Sequence, residues 1–500
     1  MSEIGQPEAG CGVLFGETIM TPMPSSPTLD PAVCARAIGA RDPRFDGLFY
    51  VAIVTTGIYC RPVCPSRAAS QRNRRFFASA AAAELAGFRP CLRCRPELAP
   101  GQAVIDSVPR LAQVAVRRIA AGALNGRGVP DLARDLGVSA RHLRRALERE
   151  VGASPVELAQ THRLLLAKQL LADTALPVTR VAYAAGFQSL RRFNTVFRER
   201  YRMSPTTIRR RIRTTQGAPE TAETANADVF GASAVRLVLA YRAPLAWDVL
   251  LEQLRHDALP GVEAIIGLRY TRAVRVGTHT GLVAVEPMSD RPQVQVTLTA
   301  TLLPVLMEIL ARLRQVFDLD AEPDVVDEYL ARTDLAPLVA RHRGVRIPGA
   351  LDGFDAALHL VLEGSGAGAR VAQDLGEPIA GGDETLNRLA PSADRVADAG
   401  APRLVALGLS PKRAETLAAL ARAVADGVLK LEPGREVAPT RDALLAIPGV
   451  NEPLAAGILL RALHWPDAFP IAGPRELLAR AEQWRPWRGY AALHLRLAAS

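Results

Sequence analysis

Four of the six cysteines in this 500-residue sequence are clustered. Cys60 and Cys64 form a C-x3-C pair, Cys91 and Cys94 form a C-x2-C pair, and 26 residues separate the two pairs. Both close pairs can chelate the same ion, because four thiolates complete a tetrahedral shell for zinc. The spacing therefore predicts a zinc site, with a purely structural role or, because thiolates are nucleophiles, a reactive one.

Arginine is concentrated around these cysteines. Residues 1–215 carry 32 basic and 16 acidic side chains, and the whole chain has a net charge of +10. Guanidinium groups bind phosphates bidentately, so this distribution predicts a nucleic-acid partner for the amino-terminal part of the chain. Solvated arginine on helix faces is the alternative explanation. The arginines nearest to the cysteines are Arg61, Arg67, Arg72, Arg74, Arg75, Arg89, Arg93 and Arg95.

The cysteine region resembles the amino-terminal domain of Ada, the adaptive-response regulator, over nearly all of residues 31–100. The resemblance rests on Arg44–Arg67, RFDGLFYVAIVTTGIYCRPVCPSR, and on Asn73–Glu97, NRRFFASAAAAELAGFRPCLRCRPE. It implies that zinc-bound Cys60 irreversibly accepts a methyl group from a methylphosphotriester in DNA, as a single-turnover methyltransferase. Four thiolates on a divalent cation carry a charge of about −2. Methylation removes one negative charge, so DNA affinity is expected to rise.

The region after the cysteines repeats a helix-turn-helix pattern. The pattern begins at Val129 with Gly137 in the turn and again at Val178 with Gly186 in the turn, and a predicted helix at Ser154–Leu171 separates the two units. This order resembles the DNA-binding domain of the AraC family, which implies that the second helix of each unit contacts duplex DNA. The predicted contact residues are Arg141, Arg144, Arg145, Gln188, Ser189, Arg191, Arg192 and Asn194. The predicted core positions of the second unit are Phe187, Leu190, Phe193 and Phe197.

The carboxy-terminal half resembles AlkA-type 3-methyladenine DNA glycosylases over Ala234–Ser500. The resemblance rests on Tyr241–Asp248, YRAPLAWD, and on Arg346–Asp355, RIPGALDGFD. It implies an α/β domain followed by an all-α helix-hairpin-helix domain that binds DNA and removes alkylated bases. The predicted hairpin residues are Pro448, Gly449 and Asn451.

This half departs from the glycosylase pattern at three places. Asn451 replaces the second hairpin glycine, and because asparagine tolerates a positive φ, the turn is expected to survive. Glu452 brings a negative charge to a phosphate site. A helical segment is missing after Leu362, and no aspartate follows Pro470, so the glycosylase catalytic aspartate is predicted to be absent. Because a carboxylate stabilises the oxocarbenium charge at the sugar, we expect an impaired glycosylase. The nearest remaining carboxylates belong to Asp467 and Glu476.

These features predict a multidomain α+β protein. A small zinc-binding α/β domain is followed by an all-α double helix-turn-helix domain, an α/β AlkA-like domain and an all-α helix-hairpin-helix domain. The predicted limits are 1–30 for a disordered tail, 31–100 for the zinc domain, 101–213 for the helix-turn-helix domain, 214–232 for a linker, 233–325 for the AlkA-like α/β domain and 326–500 for the glycosylase-like domain. Cys11 and Cys34 are predicted to take no part in metal binding or methyl transfer. Cys11 is expected to lie in the tail and Cys34 to be a buried thiol.

The predicted function is an alkylation-responsive transcriptional regulator and DNA repair protein that methylates its own zinc-bound cysteine. Zinc is the predicted cofactor, and the predicted partners are alkylated DNA, promoter DNA and RNA polymerase. No apolar run reaches the ~18 residues of a membrane span and no secretory signal is visible, so a cytoplasmic location is expected. Two alternatives stay open: an active bifunctional regulator and glycosylase, and a transcription factor whose zinc is purely structural.

Overall fold

The structure is a computed structural model that describes residues 30–67, 69–101, 110–216, 230 and 234–499. Cys11, nearly all of the predicted tail and residues 217–229 of the predicted linker lie outside the described residues. Within the described ranges, no helix is both long and apolar enough to cross a bilayer.

The cysteine region folds around a four-stranded sheet. Strands β1 (Tyr50–Ile53), β2 (Ile58–Cys60), β3 (Arg74–Phe77) and β4 (Arg89–Pro90) lie in the order β3-β1-β2-β4. The β2–β4 pair is parallel, and the other neighbouring pairs are antiparallel. Helix α1 (Pro31–Ala40) precedes the sheet and helix α2 (Ala80–Leu85) connects β3 to β4. The parallel pairing of β2 with β4 brings Cys91, the start of the second cysteine pair, beside Cys60, the start of the first pair.

Residues 110–216 are helical. The helices are α3 (Arg110–Ala120), α4 (Val129–Asp135), α5 (Ala140–Val151), α6 (Pro155–Asp173), α7 (Val178–Ala184), α8 (Leu190–Tyr201) and α9 (Pro205–Gln216). Gly137 and Gly186 have φ values of +69° and +86°, which confirms the turns predicted at these positions. Ser139 and Ser189 cap α5 and α8 by accepting backbone N–H bonds from the first turn of each helix. The caps and turns fix the two helix-turn-helix units.

The next region is an antiparallel sheet with two packed helices. Strands β5 (Val235–Ala240), β6 (Glu263–Ile266), β7 (Arg269–Val276), β8 (His279–Pro287) and β9 (Gln293–Leu298) lie in the order β5-β9-β8-β7-β6. Helix α10 (Trp247–Asp257) connects β5 to β6, and α11 (Leu306–Val316) follows the sheet. Buried and half-buried residues alternate at the start of β5, whereas β8 is buried continuously over five residues. Both faces of the sheet are covered, since Ala273, Leu282 and Ala284 form a smaller apolar cluster with Leu386 and Leu389.

The remainder of the chain is an array of helices. They are α12 (Pro323–Leu330), α13 (Ala336–Arg341), α14 (Gly353–Leu362), α15 (Gly368–Leu375), α16 (Ala393–Ala406), α17 (Pro411–Ala425), α18 (Val437–Leu445), α19 (Glu452–Ala462), α20 (Arg475–Ala481) and α21 (Arg488–Ala499). The hairpin predicted at residues 447–451 connects α18 to α19. The observed mixture of sheets and helical domains confirms the predicted α+β class.

The second helix-turn-helix unit shares a hydrophobic core with the five-stranded sheet. Leu170, Phe197 and Val296 are fully buried in one continuous cluster. Gln169 on α6 donates from Nε2 to the carbonyl of Val238 on β5 at 2.8 Å. The first helix-turn-helix unit and the glycosylase-like helices have separate cores. The second helix-turn-helix unit therefore packs directly against the five-stranded sheet of the glycosylase-like half.

A buried ion network joins the five-stranded sheet to helix α14. Arg272 pairs with Glu263 at 2.8 Å (Nη1–Oε1) and with Asp355 at 2.5 Å (Nη2–Oδ1). The His359 Nε2 atom lies 2.9 Å from Oε2 of Glu263, and its Nδ1 lies 3.4 Å from Oδ1 of Asp355. Burial by itself would lower the pKa of His359, but Asp355 and Glu263 outweigh burial and raise this pKa to about 9. At neutral pH His359 is therefore a cation between two carboxylates.

We expect this imidazolium to stabilise the fold at neutral pH. Its pKa is raised from 6.5 in the unfolded chain to about 9 in the fold. The contribution, on the order of 3 kcal/mol, is complete below pH 6.5 and is lost as the pH rises through 9. The difference in free energy of unfolding between the wild type and His359→Gln should shrink over that window in denaturant titrations. The exposed His142→Gln is the control, and an equally pH-dependent difference for both variants would contradict the assignment.

Candidate metal centre and nucleic-acid interface

The sheet brings the four clustered cysteines together. Cys60 ends β2, and the parallel β2–β4 pairing allows the Cys91 N–H to donate to the Tyr59 carbonyl at 3.0 Å. The four sulfur atoms all lie within 4.8 Å of one another. A tetrahedral zinc site with Zn–S bonds of about 2.3 Å requires sulfur separations of about 3.8 Å. The cluster therefore fits one zinc ion held by Cys60, Cys64, Cys91 and Cys94.

Cys60 differs from the other three cysteines in its surroundings. The Cys91 sulfur accepts the Arg93 N–H and the Cys94 sulfur accepts the Arg61 N–H, both at 3.4 Å. Hydrogen bonding among the four sulfurs, with a smaller contribution from the Ser66 hydroxyl, lowers the pKa of Cys64. Among the described residues, no hydrogen bond from a backbone N–H or a hydroxyl group to the Cys60 sulfur is found, and the other three sulfurs are its main polar neighbours. Cys60 and Cys64 are partly exposed, whereas Cys91 and Cys94 are buried.

Zinc removal should unfold the cysteine region. The apolar residues of this region form two small clusters, so metal binding is expected to supply much of its folding energy. Metal analysis should give one zinc per chain. Hydrogen exchange after chelation should show lost protection at residues 50–60 and 89–94, while the helices that pack around α14 and α19 keep theirs. Full protection of the sheet in metal-free protein would contradict this prediction.

The predicted helix-turn-helix contact residues lie mainly at the surface. Seven of the eight are exposed, and Asn194 is half-buried. Ser189 also caps α8, because its Oγ accepts the Arg192 N–H at 3.3 Å. The predicted core residues Phe187, Phe193 and Phe197 are buried, and Leu190 is half-buried beside them. The exposed set is Arg141, Arg144, Arg145, Gln188, Ser189, Arg191 and Arg192.

The hairpin keeps its turn despite the Asn451 substitution. Gly449 has a φ of +84°, and a Cβ atom there would lie 1.9 Å from the Thr416 hydroxyl, so this position requires glycine. Asn451 does not use the positive φ that asparagine tolerates, since its φ is −106° and its side chain caps α19 by accepting the Leu454 N–H at 3.0 Å. Glu452 pairs with Arg441, so its charge at the exposed hairpin is partly offset.

The two carboxylates nearest to the missing aspartate have different surroundings. Asp467 is 8% exposed and is held by Arg488 at 2.7 Å and Arg485 at 3.0 Å. Glu476 lies on the exposed part of α20. Beside Pro470 there is a cavity of about 20 Å³, which has room for a water molecule. Both oxygens of Asp467 are therefore occupied by arginines.

Comparison with known proteins identifies the chain. Three family models match it: the metal binding domain of Ada at residues 33–97, a helix-turn-helix domain at 132–211 and the AlkA N-terminal domain at 236–352. A Mycobacterium tuberculosis protein described as "Probable bifunctional transcriptional activator/DNA repair enzyme AlkA" is 37% identical over 486 residues, covering 92% of this chain and 95% of that protein. The chain belongs to the Ada–AlkA family of bifunctional transcriptional activators and DNA repair enzymes.

Two Escherichia coli proteins match this Ada–AlkA protein over shorter stretches. DNA-3-methyladenine glycosylase 2 is 32% identical over 275 residues, covering 51% of this chain and 95% of that protein. The bifunctional transcriptional activator/DNA repair enzyme Ada is 35% identical over 153 residues, covering 30% of this chain and 41% of that protein. The predictions of zinc as the cofactor, of DNA as a partner and of a combined regulatory and repair function are confirmed.

Several residues that support the Ada–AlkA metal centre could not be predicted from motifs. Lys168 on α6 is fully buried and donates to the Cys91 carbonyl at 3.1 Å and to Glu97 at 2.6 Å. Asp46 is buried and pairs with Arg61, the residue that follows Cys60. One feature of the sequence does indicate a special role for Lys168: it is the single lysine among residues 1–215, and it lies within an apolar helical stretch.

Proposed function

We propose that Cys60 is the methyl acceptor of this protein and that its methylation controls DNA binding. One observation carries the proposal: of the two partly exposed cysteines, Cys60 and Cys64, Cys60 is the one that no backbone or hydroxyl donor reaches among the described residues. A hydrogen bond to a thiolate withdraws electron density and lowers its nucleophilicity. Cys91 and Cys94 carry such bonds and are buried, and Cys64 is influenced by Ser66.

The transfer is a direct displacement at the methyl carbon. The Cys60 sulfur attacks the methyl group of a DNA methylphosphotriester, so an S–C bond forms while the C–O bond breaks. The bonding electron pair stays on the phosphate oxygen, and the DNA regains an ordinary phosphodiester anion. Zinc, when bound, keeps the four sulfurs deprotonated at neutral pH. The product is a stable thioether, so each chain reacts once.

The arginines around the cluster give this reaction an effect on DNA affinity. Arg67, Arg72, Arg75 and Arg93 are exposed and face solvent without acidic partners among the described residues. They favour a phosphate backbone, whereas the anionic cluster repels it. Methylation removes one negative charge from the cluster, so we expect tighter binding of the modified protein to the same duplex.

Methylated protein should bind its operator more tightly than unmethylated protein, and Arg191→Ala or Arg192→Ala should weaken both. Each of these arginines lies in the first turn of the exposed recognition helix α8, so one lost base or phosphate contact should cost about 1–3 kcal/mol. Fluorescence anisotropy with an operator duplex at fixed salt measures both effects. The duplex would be selected from promoter fragments that the methylated chain retains.

Arg198→Ala is the matched control, since Arg198 is exposed on the same helix but lies in its last turn. Its affinity should stay near that of the wild type. Coincident binding curves for methylated and unmethylated wild type would refute the switch, and an equal loss for all three arginine variants would refute the assigned recognition surface.

We also propose domain limits at residues 31–100, 101–213, 233–325 and 326–500. The regulator is proposed to recruit RNA polymerase in the cytoplasm. DNA contacts are assigned to the two helix-turn-helix units and to Pro448, Gly449 and Asn451 of the hairpin. The glycosylase-like domain is assigned an impaired chemical step, supported by the ion pairs of Asp467 and the lack of an aspartate after Pro470.

A further inference from the structure

Arg242 belongs to the glycosylase-like half but reaches the cysteine region. It lies two residues after the end of β5 and is 6% exposed. Its Nη2 donates to the Asp46 carbonyl at 3.2 Å, and its Nη1 donates to the carbonyls of Gly101 at 2.7 Å and Asp320 at 3.3 Å. One guanidinium thus connects the end of the cysteine region, the segment around Asp46 and the chain that follows α11.

The position of Arg242 is fixed from the carboxy-terminal side. Arg346 is fully buried, and its Nη2 donates to the carbonyls of Arg242 at 2.6 Å and Pro244 at 3.0 Å. The two parts also approach closely, because a Cβ atom at Gly101 would lie 2.1 Å from the Asp320 carboxylate. The contact is therefore specific and leaves little room for Arg242 to move.

The same segment supports the metal centre. The Asp46 carboxylate, 4% exposed, accepts a bond from Arg61 Nε at 2.8 Å and a further bond from Nη2. Arg61 in turn donates from Nη1 to the Cys94 carbonyl at 3.1 Å and from its backbone N–H to the Cys94 sulfur at 3.4 Å. Arg61 is also bonded covalently to Cys60. Arg242 and Arg61 both donate hydrogen bonds to Asp46. These bonds therefore connect the glycosylase-like half to Cys60 and Cys94, two of the four zinc ligands.

We propose that Arg242 is a positioning residue for the metal centre, so that the glycosylase-like half stabilises the methyl-acceptor site. The inference goes beyond the proposed function and rests on it only for the consequence at Cys60. Residues that orient metal ligands through hydrogen bonds commonly change metal affinity 10- to 100-fold when they are replaced. Arg242 acts two residues further away, through Asp46 and Arg61, so an effect no larger than the lower limit, about tenfold, is expected. This role gives the glycosylase-like half a use that does not require base excision.

The test compares Arg242→Gln with Arg236→Gln in the full chain. Arg236 lies on β5 and is half-buried, with no side-chain hydrogen bond or ion pair to the cysteine region among the described residues. Zinc release to excess chelator should be about tenfold faster for Arg242→Gln and unchanged for Arg236→Gln. Cobalt(II)-substituted Arg242→Gln should show shifted visible absorption bands, because the geometry of the four thiolates changes. Hydrogen exchange should rise at residues 43–64 and stay constant at 437–462.

These measurements also separate the inference from the proposed function. If the wild type takes up no methyl group at Cys60, the proposed function fails while the zinc-release comparison still decides the role of Arg242. Zinc release and cobalt spectra equal to those of Arg236→Gln would overturn the inference. If Arg242→Gln does not fold, Arg242→Lys replaces it, because lysine keeps the positive charge but lacks the several N–H donors of a guanidinium. Faster zinc release by Arg242→Lys than by Arg236→Gln would support the role, and equal release would overturn it.

Discussion

Cys60→Ser will abolish methyl uptake from DNA methylphosphotriesters. A serine hydroxyl is not ionised near neutral pH and is a far weaker nucleophile than a thiolate. We expect the single-turnover rate to fall by at least about a thousandfold, which corresponds to about 4 kcal/mol in the activation barrier. The measurement is mass spectrometry of cysteine peptides after the full chain has been incubated with methylated duplex. The wild-type peptide that contains Cys60 should gain the mass of one methyl in place of one hydrogen.

Two matched variants distinguish loss of the nucleophile from loss of the metal. Cys64→Ser also removes a zinc ligand, but it keeps the Cys60 thiolate, so methyl uptake should be slowed and still found at Cys60. Cys11→Ser should react like the wild type, because Cys11 is outside the cluster. Methyl uptake at Cys64 or Cys34 in the wild type, or full uptake by Cys60→Ser, would show that a residue other than Cys60 accepts the methyl group. Stable zinc with no methyl uptake by any form would favour a purely structural zinc.

The metal cysteines could be predicted because their chemistry is local. Two residue pairs at chelating distance along the chain leave little choice of ligand, and the sheet only has to bring the pairs together. The turn glycines and serine caps of the helix-turn-helix units are local in the same sense. The contacts that hold the site in place are not local. Lys168 is 77 positions from Cys91, and Arg242 is 196 positions from Asp46, so these pairings depend on how whole elements pack.

Asn451 illustrates how a turn can survive a substitution for a different reason from the one that the sequence indicates. Asparagine tolerates a positive φ, which is why the turn is expected to survive the loss of a glycine. In the structure, Gly449 makes the turn, and Asn451 takes extended backbone with its side chain at the start of α19. Capping and turn formation compete for the same residue type, and the position relative to the helix decides between them. The substitution therefore preserves the hairpin instead of breaking it.

Excision of 3-methyladenine by this protein should be at least about a thousandfold slower than by the glycosylase of Escherichia coli. The transition state develops positive charge at the sugar, and losing the carboxylate that stabilises it costs several kcal/mol. Asp467 is not free to replace that carboxylate, because Arg485 and Arg488 hold both of its oxygens. Chromatography of bases released from alkylated duplex, with the Escherichia coli enzyme as reference, measures the rate.

Variants of the two carboxylates decide whether any residual release is catalysed. Asp467→Asn should leave the excision rate unchanged while lowering the free energy of unfolding by about 2 kcal/mol, since it removes charge from two arginine contacts. Glu476→Gln should change neither quantity, because Glu476 is exposed. Rapid excision by the wild type that disappears in one of these variants, with the fold intact, would show that a displaced carboxylate performs the chemistry. The Ada–AlkA chain would then be a regulator and a working glycosylase at once.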